Sequence, residues 1–418
     1  MNKALYHITL CIFFLSVCMT SAFAQEVTIV GKVIDAQSKE PLAFATITNS
    51  DGSQGAVSNF LGEFSLTLPE SSKDQSLITS MLGYQVANTS LKSVSDPLAL
   101  TIELEQRIIL LPEVRISVEQ LTALEVVERA IDNIKVNYPT QPYLLEGFTR
   151  SHKRECGEYI DLYEAAFELY GLGYQKKSPE RIYIQSSRQS NPTAEYRSHV
   201  LRNNRNLFIS MGHINDVLYR RGSLKTVNNE YEIKNYTMID DRLVYIIETK
   251  HSKYVTHELF IDAQSFAVLK TKMTMTTPEG EDRNLLLNKG NSNDSLDFKV
   301  TEISKTIQFE KNGERYFSKY MDWLVEGELT DKATKEFVCD WGFRFETMFD
   351  EVAYENVTKP SNERLMRPRG RRDPEPTAYD PEFWMTYPML EEFPITPQII
   401  TDLSRIEPLE TQFQQSGK

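Results

Sequence analysis

The chain has 418 residues, 40% apolar and 25% charged, an ordinary composition for roughly two or three folded domains. It excludes a mainly disordered or collagen-like protein. Lys and Arg number 46 against 59 Asp and Glu, a net charge of −13, so no nucleic-acid partner is expected, because such binders carry a basic surface.

The N-terminus reads as an export signal. Lys3 precedes an apolar run from Ile8 to Met19, and Ala22-Phe23-Ala24 follows as a small-x-small cleavage site. Residues 1–24 therefore predict a Sec signal peptide, and the expected location is the periplasm or the outer membrane. A lipoprotein signal at Leu15-Ser16-Val17-Cys18 is the weaker alternative, because Val17 fits poorly before a modified Cys. No later run is long and apolar enough for a transmembrane helix. Strands such as Leu243–Ile247, apolar on both faces, argue against a membrane barrel. With Cys11 and Cys18 in the signal, Cys156 and Cys339 remain. An oxidising compartment would let them pair. Cys339, however, alternates with Phe337, Trp341 and Phe343, and Cys156 precedes a turn glycine, so two unpaired thiols are expected.

Residues 26–117 alternate short β-branched runs with Gly, Pro, Asn and Asp. Strands are expected at Val27–Ile34, Ala43–Thr48, Gln54–Ser58, Glu63–Leu68, Leu77–Met81, Gln85–Thr89 and Ala99–Leu104. This rhythm predicts a small antiparallel β-sandwich. Gly62 is expected to close a hairpin with a positive φ, and Gly83 to turn the chain between buried strands. Four fragments follow in order: Gly31-x-Val33-x-Asp35, Pro41-Leu42-x-x-Ala45-x-Ile47, Ser58-Asn59-x-x-Gly62-x-Phe64-x-Leu66 and Ser80-x-x-Gly83-Tyr84. Together they resemble the carboxypeptidase-regulatory-like domain of secreted and outer-membrane Bacteroidetes proteins. The resemblance implies a transthyretin-like sandwich of seven strands in an accessory, non-catalytic role. Asn59 stands where that family often has Asp, a mild change in a turn.

Residues 118–355 predict an α+β domain with a curved antiparallel sheet. A helix is expected over Leu121–Tyr138, with Thr122 as N-cap and Glu125 completing a capping box. Leu124, Val127, Ile131 and Ile134 would form its packing stripe, and Pro139 and Pro142 would end it. Arg205–Arg220 is a second helix candidate. A hairpin is expected from Tyr254–Ile261 through Asp262-Ala263-Gln264-Ser265 to Phe266–Met275, with Leu269, Met273 and Met275 on a buried face and Lys270 and Lys272 opposite. Further strands are expected at Phe298–Gln308, Glu314–Leu324 and Thr334–Phe345. This order is similar in architecture to the periplasmic half-barrels of lipoprotein carriers. The run Val126–Gly147, Tyr163-Glu164-Ala165, Tyr379-Asp380-x-x-Phe383-Trp384 and Leu409-Glu410-x-Gln412-Phe413 resemble the C-terminal region that follows the regulatory-like domain in Bacteroidetes proteins. That resemblance implies organisation and no mechanism.

Residues 356–418 read as an Arg- and Pro-rich linker followed by an aromatic tail. Arg364, Arg367, Arg369, Arg371 and Arg372 form a solvated linker or a patch for phosphates or an acidic partner. Tyr379, Phe383, Trp384, Tyr387 and Phe393 are costly to leave in water, so this segment is expected to pack back on the second domain or to dock on a partner. Arg367, Arg369, Arg371, Arg372, Phe383 and Trp384 are the candidate contact residues.

Catalytic signals are poor. His152-x-x-Glu155 with a distant His257 would allow a zinc hydrolase site, but His-x-x-Glu arises readily by chance in a Glu-rich chain. His257 alternates with Val255, Leu259 and Ile261 and reads as a hydrogen-bonded core residue. No G-x-S-x-G, P-loop, dinucleotide fingerprint or EF-hand loop occurs. No cofactor or metal is expected. The sequence predicts a mainly β, non-catalytic envelope protein that binds or assembles a protein partner through its sheet edges and tail. The runner-up is a lipid or lipoprotein carrier.

Overall fold

The computed structural model describes residues 26–42, 45–52, 54–59, 62–69, 72, 75–81, 84–93, 99–106, 121–174, 180–191, 230–239, 242–252, 254–276, 295–365, 379–387, 390 and 395–415. The chain divides into two compact units, Met1–Gln106 and Arg107–Lys418.

The first unit holds β1 (Glu26–Asp35), β2 (Thr46–Asn49), β3 (Gly55–Val57), β4 (Glu63–Pro69), β5 (Ser76–Ser80), β6 (Ala87–Ser90) and β7 (Leu100–Leu104). They form two sheets, in the orders β4-β1-β7 and β3-β2-β5-β6. Neighbours run antiparallel except β7, which joins β1 in parallel. Every second residue of β4 is buried, the pattern of a sheet with one face against a core. Ile29, Val33, Phe64 and Leu68 from one sheet meet Ile47 and Leu77 from the other. Gly62 has φ +74°, and a Cβ there would collide with Val33 O, so both the turn and the close approach require glycine. Gly83 lies outside the described residues.

The second unit is built on β8 (Tyr143–Glu155), β9 (Glu158–Gly171), β10 (Arg181–Gln189), β11 (Glu230–Ile239), β12 (Arg242–Ser252), β13 (Val255–Asp262), β14 (Val268–Thr276), β15 (Leu296–Asn312), β16 (Arg315–Asp331) and β17 (Phe337–Ala353). One ten-stranded sheet results, in the order β10-β9-β8-β17-β16-β15-β14-β13-β12-β11. It consists of two meanders, β8–β10 and β11–β17, joined where β8 pairs antiparallel with β17. The ladders contain repeated register shifts, for example at Val300/Glu302 and Phe349/Val352. Such bulges bend strands and increase twist, and the sheet is curved.

The seam between the meanders carries the only disulfide among the described residues. Cys156 and Cys339 are bonded, which corrects the expectation of two free thiols. Alternation along β17 does not reveal that β8 is its neighbour. Cys156 follows β8 directly, and its N–H donates to Asp340 O on β17. The bond closes a loop across 183 positions of sequence. Replacing both cysteines with Ser is expected to lower stability by about 2–4 kcal/mol, read as a fall in the urea midpoint relative to the oxidised protein.

Three chain reversals share one turn. Asp35, Asp262 and Asp331 each end a strand, and each Oδ1 accepts N–H bonds from the residues two and three positions on. The residue four positions on has a positive φ in each case: Lys39, Phe266 and Lys335. Two of the turns have the same sequence, Ile-Asp-Ala-Gln-Ser, at Ile34–Ser38 and Ile261–Ser265. The aspartate mimics the missing backbone acceptor, and the left-handed residue turns the chain into the return strand. Lys335 pairs at the surface with Asp297. Lys335→Gly should therefore stabilise by no more than about 1 kcal/mol, measured as a rise in thermal midpoint.

The helix begins where the sequence predicts. In α1 (Ala123–Asp132), Thr122 and Glu125 form the reciprocal capping box. The buried side is Ala123, Val126, Val127 and Ala130, while Leu124 is half exposed. Val127 and Ile134 of the expected stripe are buried, but Leu124 and Ile131 give way to Ala123, Val126 and Ala130, whose small side chains allow a close approach. Asn133 breaks the helix, bonding Arg129 O through its side chain, and α2 (Ile134–Asn137) follows. Tyr138 then donates to Val268 O and packs edge-on against Phe309. The helix candidate at 205–220 lies outside the described residues.

Candidate functional site

Because side chains alternate across a strand, the register defines two faces of the large sheet. One transverse row is charged across nearly its whole width. From β11 it runs Glu232, Glu248, Glu258, Lys272 and Thr306, then Asp322, Glu346, Arg150, Glu164 and Arg188 on β10. The adjacent row faces the other side and is apolar or hydroxylic: Ile247, Leu259, Thr271, Ile307, Met321, Thr347, Thr149 and Ala165. All eight are buried.

At one end the charged face is closed over. Glu164 accepts from Arg150 Nε at 2.6 Å and from Arg188 Nε at 2.6 Å, one guanidinium on each carboxylate oxygen. Burial pushes this carboxyl up, but the two arginines more than offset it and hold it below the ordinary value. Arg344 bridges Asp322 at 3.0 Å and Glu346 at 3.2 Å. Burial raises Glu346 to about 8, with Arg344 offsetting only part of the shift. His152, in the next row, is lowered to about 3 by burial and by Arg344, Arg150 and Arg154, so it is neutral near pH 7.

The cover over this end is the C-terminal tail. It forms α3 (Pro381–Thr386), α4 (Pro397–Leu403) and α5 (Leu409–Gln415). The Arg188 guanidinium is sandwiched between Trp384 at 4.5 Å and Phe413 at 4.6 Å. Leu162 of β9 joins Ile399, Leu403, Leu409 and Phe413 in one apolar cluster. Buried polar side chains fix the join: Asp402 accepts from Tyr159 N and Gln412 from Asn191 N. Of the two expectations for the aromatic segment, packing back is the observed one. Trp384 is buried against Phe148 and Arg188 and is not presented to a partner, while Phe383 is half-buried beside it. Arg364 pairs with Glu168 of β9. Arg367, Arg369, Arg371 and Arg372 lie outside the described residues.

The apolar face opens gradually. Beyond its buried row, on the same side, lies Thr249, His257, Met273, Lys305, Trp323 and Phe345 on β12 to β17. His257, Met273, Lys305 and Trp323 are half-buried, as is Met275 in the row after. Lys305 Nζ stands 5.9 Å from the Trp323 ring centre. The face thus passes from a closed apolar core to an accessible strip with flexible methionines.

The proposed zinc ligands are not brought together. His152 is on β8 and His257 on β13, five strands away. Among the described residues no group of three metal-capable side chains occurs. The charged row went unrecognised in the sequence. Alternation on β8 (Arg150, His152, Arg154) hints at a polar face, but the partners Glu164 and Arg188 are identified only by register.

Comparison with known proteins matches part of this architecture. Residues 29–116 match the family model of the CarboxypepD_reg-like domain. The regulatory-like domain is therefore the first unit's sandwich, as its fragments implied. No curated protein matches the chain. Among solved structures, a LolA superfamily protein from Nitrosomonas europaea aligns at 11% identity over 57% of this chain and 96% of its own, with a TM-score of 0.25. A putative outer membrane lipoprotein-sorting protein domain from Vibrio parahaemolyticus aligns at 8% identity over 56% and 94%, also at 0.25. The Pseudomonas aeruginosa MucA/MucB complex aligns at 9% over 56% and 99%, at 0.16. Values this low assign neither fold nor function.

Proposed function

We propose that the chain is an exported, non-catalytic binding protein of the cell envelope. The ten-stranded sheet is its binding unit, the regulatory-like domain is an accessory, and the ligand is an apolar chain. The observation that carries this reading is the half-buried strip of Met273, Met275 and Trp323 continuous with a fully buried apolar face. An apolar ligand laid on that strip removes its remaining surface from water, and methionine adapts to irregular chains. Export is supported by the disulfide at the sheet seam and by the Ile8–Met19 run ahead of Ala22-Phe23-Ala24.

Native mass spectrometry of protein purified gently from its own envelope tests the reading. A bound mass of several hundred daltons, lost on denaturation, is the expected result. A bare chain that also fails to take up a fluorescent long-chain probe would overturn it.

A second reading, assembly with a protein partner, is supported by one feature. Among the described residues β11 pairs only with β12, and a ten-residue edge can accept an added strand. Cross-linking from β11 would then capture a protein, and proline at Ile233 would abolish the capture.

A further inference from the structure

The charged face keeps two bases that no acid neutralises. At its closed end Arg150 and Arg188 share Glu164, and Arg344 holds Asp322 and Glu346. Lys270 and Lys272 of β14 lie on the same face, two positions apart. Both are half-buried, and neither ammonium has an ion pair or a hydrogen bond among the described residues. Glu258 stands beside Lys272 in register without pairing with it. Lys270 lies over the Phe260 ring, with Nζ 5.3 Å from the ring centre.

The next strand completes the patch. Gln308 lies beside Lys270 in register, and Thr306 beside Lys272. Both are half-buried, and neither side chain makes a hydrogen bond among the described residues. Two ammonium groups, an amide and a hydroxyl therefore share one block, about 7 Å along the strands and about 5 Å across them. The flexible four-carbon stems let the two lysines converge on one group. A partly buried ammonium without a partner is unfavourable. Burial, with Lys272 alongside, lowers Lys270 to about 8, and Glu258 offsets only part of the shift. Beyond β15 the facing ionisable groups are Tyr320 and Asp322, and both are engaged by Arg344.

We propose that Lys270, Lys272, Gln308 and Thr306 form a site for a phosphate monoester on the open part of the charged face. Two cations match its two negative charges, and the amide and hydroxyl donate to its remaining oxygens. A carboxylate would supply one charge and two oxygens and leave donors unused. The site lies on the opposite side of the sheet from Met273 and Trp323, and it does not rest on the apolar-ligand reading.

The test is calorimetric titration of the intact, oxidised protein with a short alkyl phosphate and with the matched alkyl carboxylate. The phosphate is expected to bind, and the carboxylate to bind roughly tenfold more weakly, the worth of one charge-assisted bond. Lys270→Met and Lys272→Met should each weaken the phosphate by roughly tenfold at an unchanged urea midpoint, which shows that the variants are folded. Between pH 7 and 9 the phosphate, with a second pKa of about 6, stays doubly charged. Its affinity should fall as pH rises through 8, where Lys270 loses its proton, and Lys270→Met should lose that dependence. Competition by vesicles of phosphatidylcholine and phosphatidic acid, and none by inorganic phosphate, supports a lipid head group as the source. Competition by inorganic phosphate alone supports a soluble phosphate. Absence of phosphate binding, binding that survives in both lysine variants, or equal binding of the carboxylate overturns the proposal.

Discussion

Glu164→Ala is expected to destabilise the second unit by about 3–5 kcal/mol. The carboxylate is fully buried and takes a guanidinium on each oxygen, at 2.6 Å from Arg150 and 2.6 Å from Arg188. Its removal leaves two buried guanidinium groups, one on each side of β9, without the carboxylate that pairs both. Urea unfolding should show a lower midpoint at unchanged slope. A loss under about 1 kcal/mol would mean that the row behaves as a solvated surface pair. Glu346, two strands from Glu164 in the same row, gives a test of opposite character. Its folded value of about 8 lies above the ordinary 4.5, so the folded state holds the proton more tightly. That stabilisation is complete below pH 4.5 and fades as pH rises through 8. Glu346→Gln cannot ionise, so its stability relative to wild type should rise across that interval. A difference that stays flat with pH would refute the shift.

Trp384→Ala should cost about 3–5 kcal/mol and loosen the whole tail. The indole is 2% exposed. It stands edge-on to Phe148 at 6.4 Å and forms one side of the sandwich around Arg188. Truncation leaves a cavity and uncovers the ion network that the tail keeps dry. Limited proteolysis should then cut within residues 379–387 or 395–415 faster than in the wild type. Phe383, half-buried on the outer side, serves as the control, with a smaller loss from Ala substitution. Unchanged proteolysis in the Trp384 variant would show that Asp402 and Gln412 anchor the tail without the aromatic contact.

Much of the fold was legible in local chemistry. The seven strands of the first unit follow from runs of β-branched residues between turn residues, and Gly62 was readable because a left-handed turn leaves little choice of side chain. The Thr122–Glu125 capping box is likewise a matter of neighbours three positions apart. The helix face was legible only in part: Val127 and Ile134 are buried as expected, but Ala123 and Ala130 carry little hydrophobic signal, yet they decide how closely a helix can approach. The disulfide was missed for another reason. Cys156 and Cys339 meet only because β8 lies beside β17, a pairing between two meanders that nothing in either strand announces.

The candidate site divides in the same way. Met273 and Met275 were readable as one face of a strand, because alternation along a single strand is a property of the sequence. That His257, Met273, Lys305 and Trp323 form one row, or that Arg150, Glu164 and Arg188 form another, depends on the register of strands far apart in the chain. Sequence by itself determined the β-rich composition, the regulatory-like sandwich and the hairpin turns, since each is settled by residues within a few positions of one another. Tertiary structure alone decided which strands are neighbours, which charges share a face, and that the aromatic tail is spent on the molecule's own sheet. Those outcomes follow from long-range burial and pairing, whose free energy belongs to no single segment.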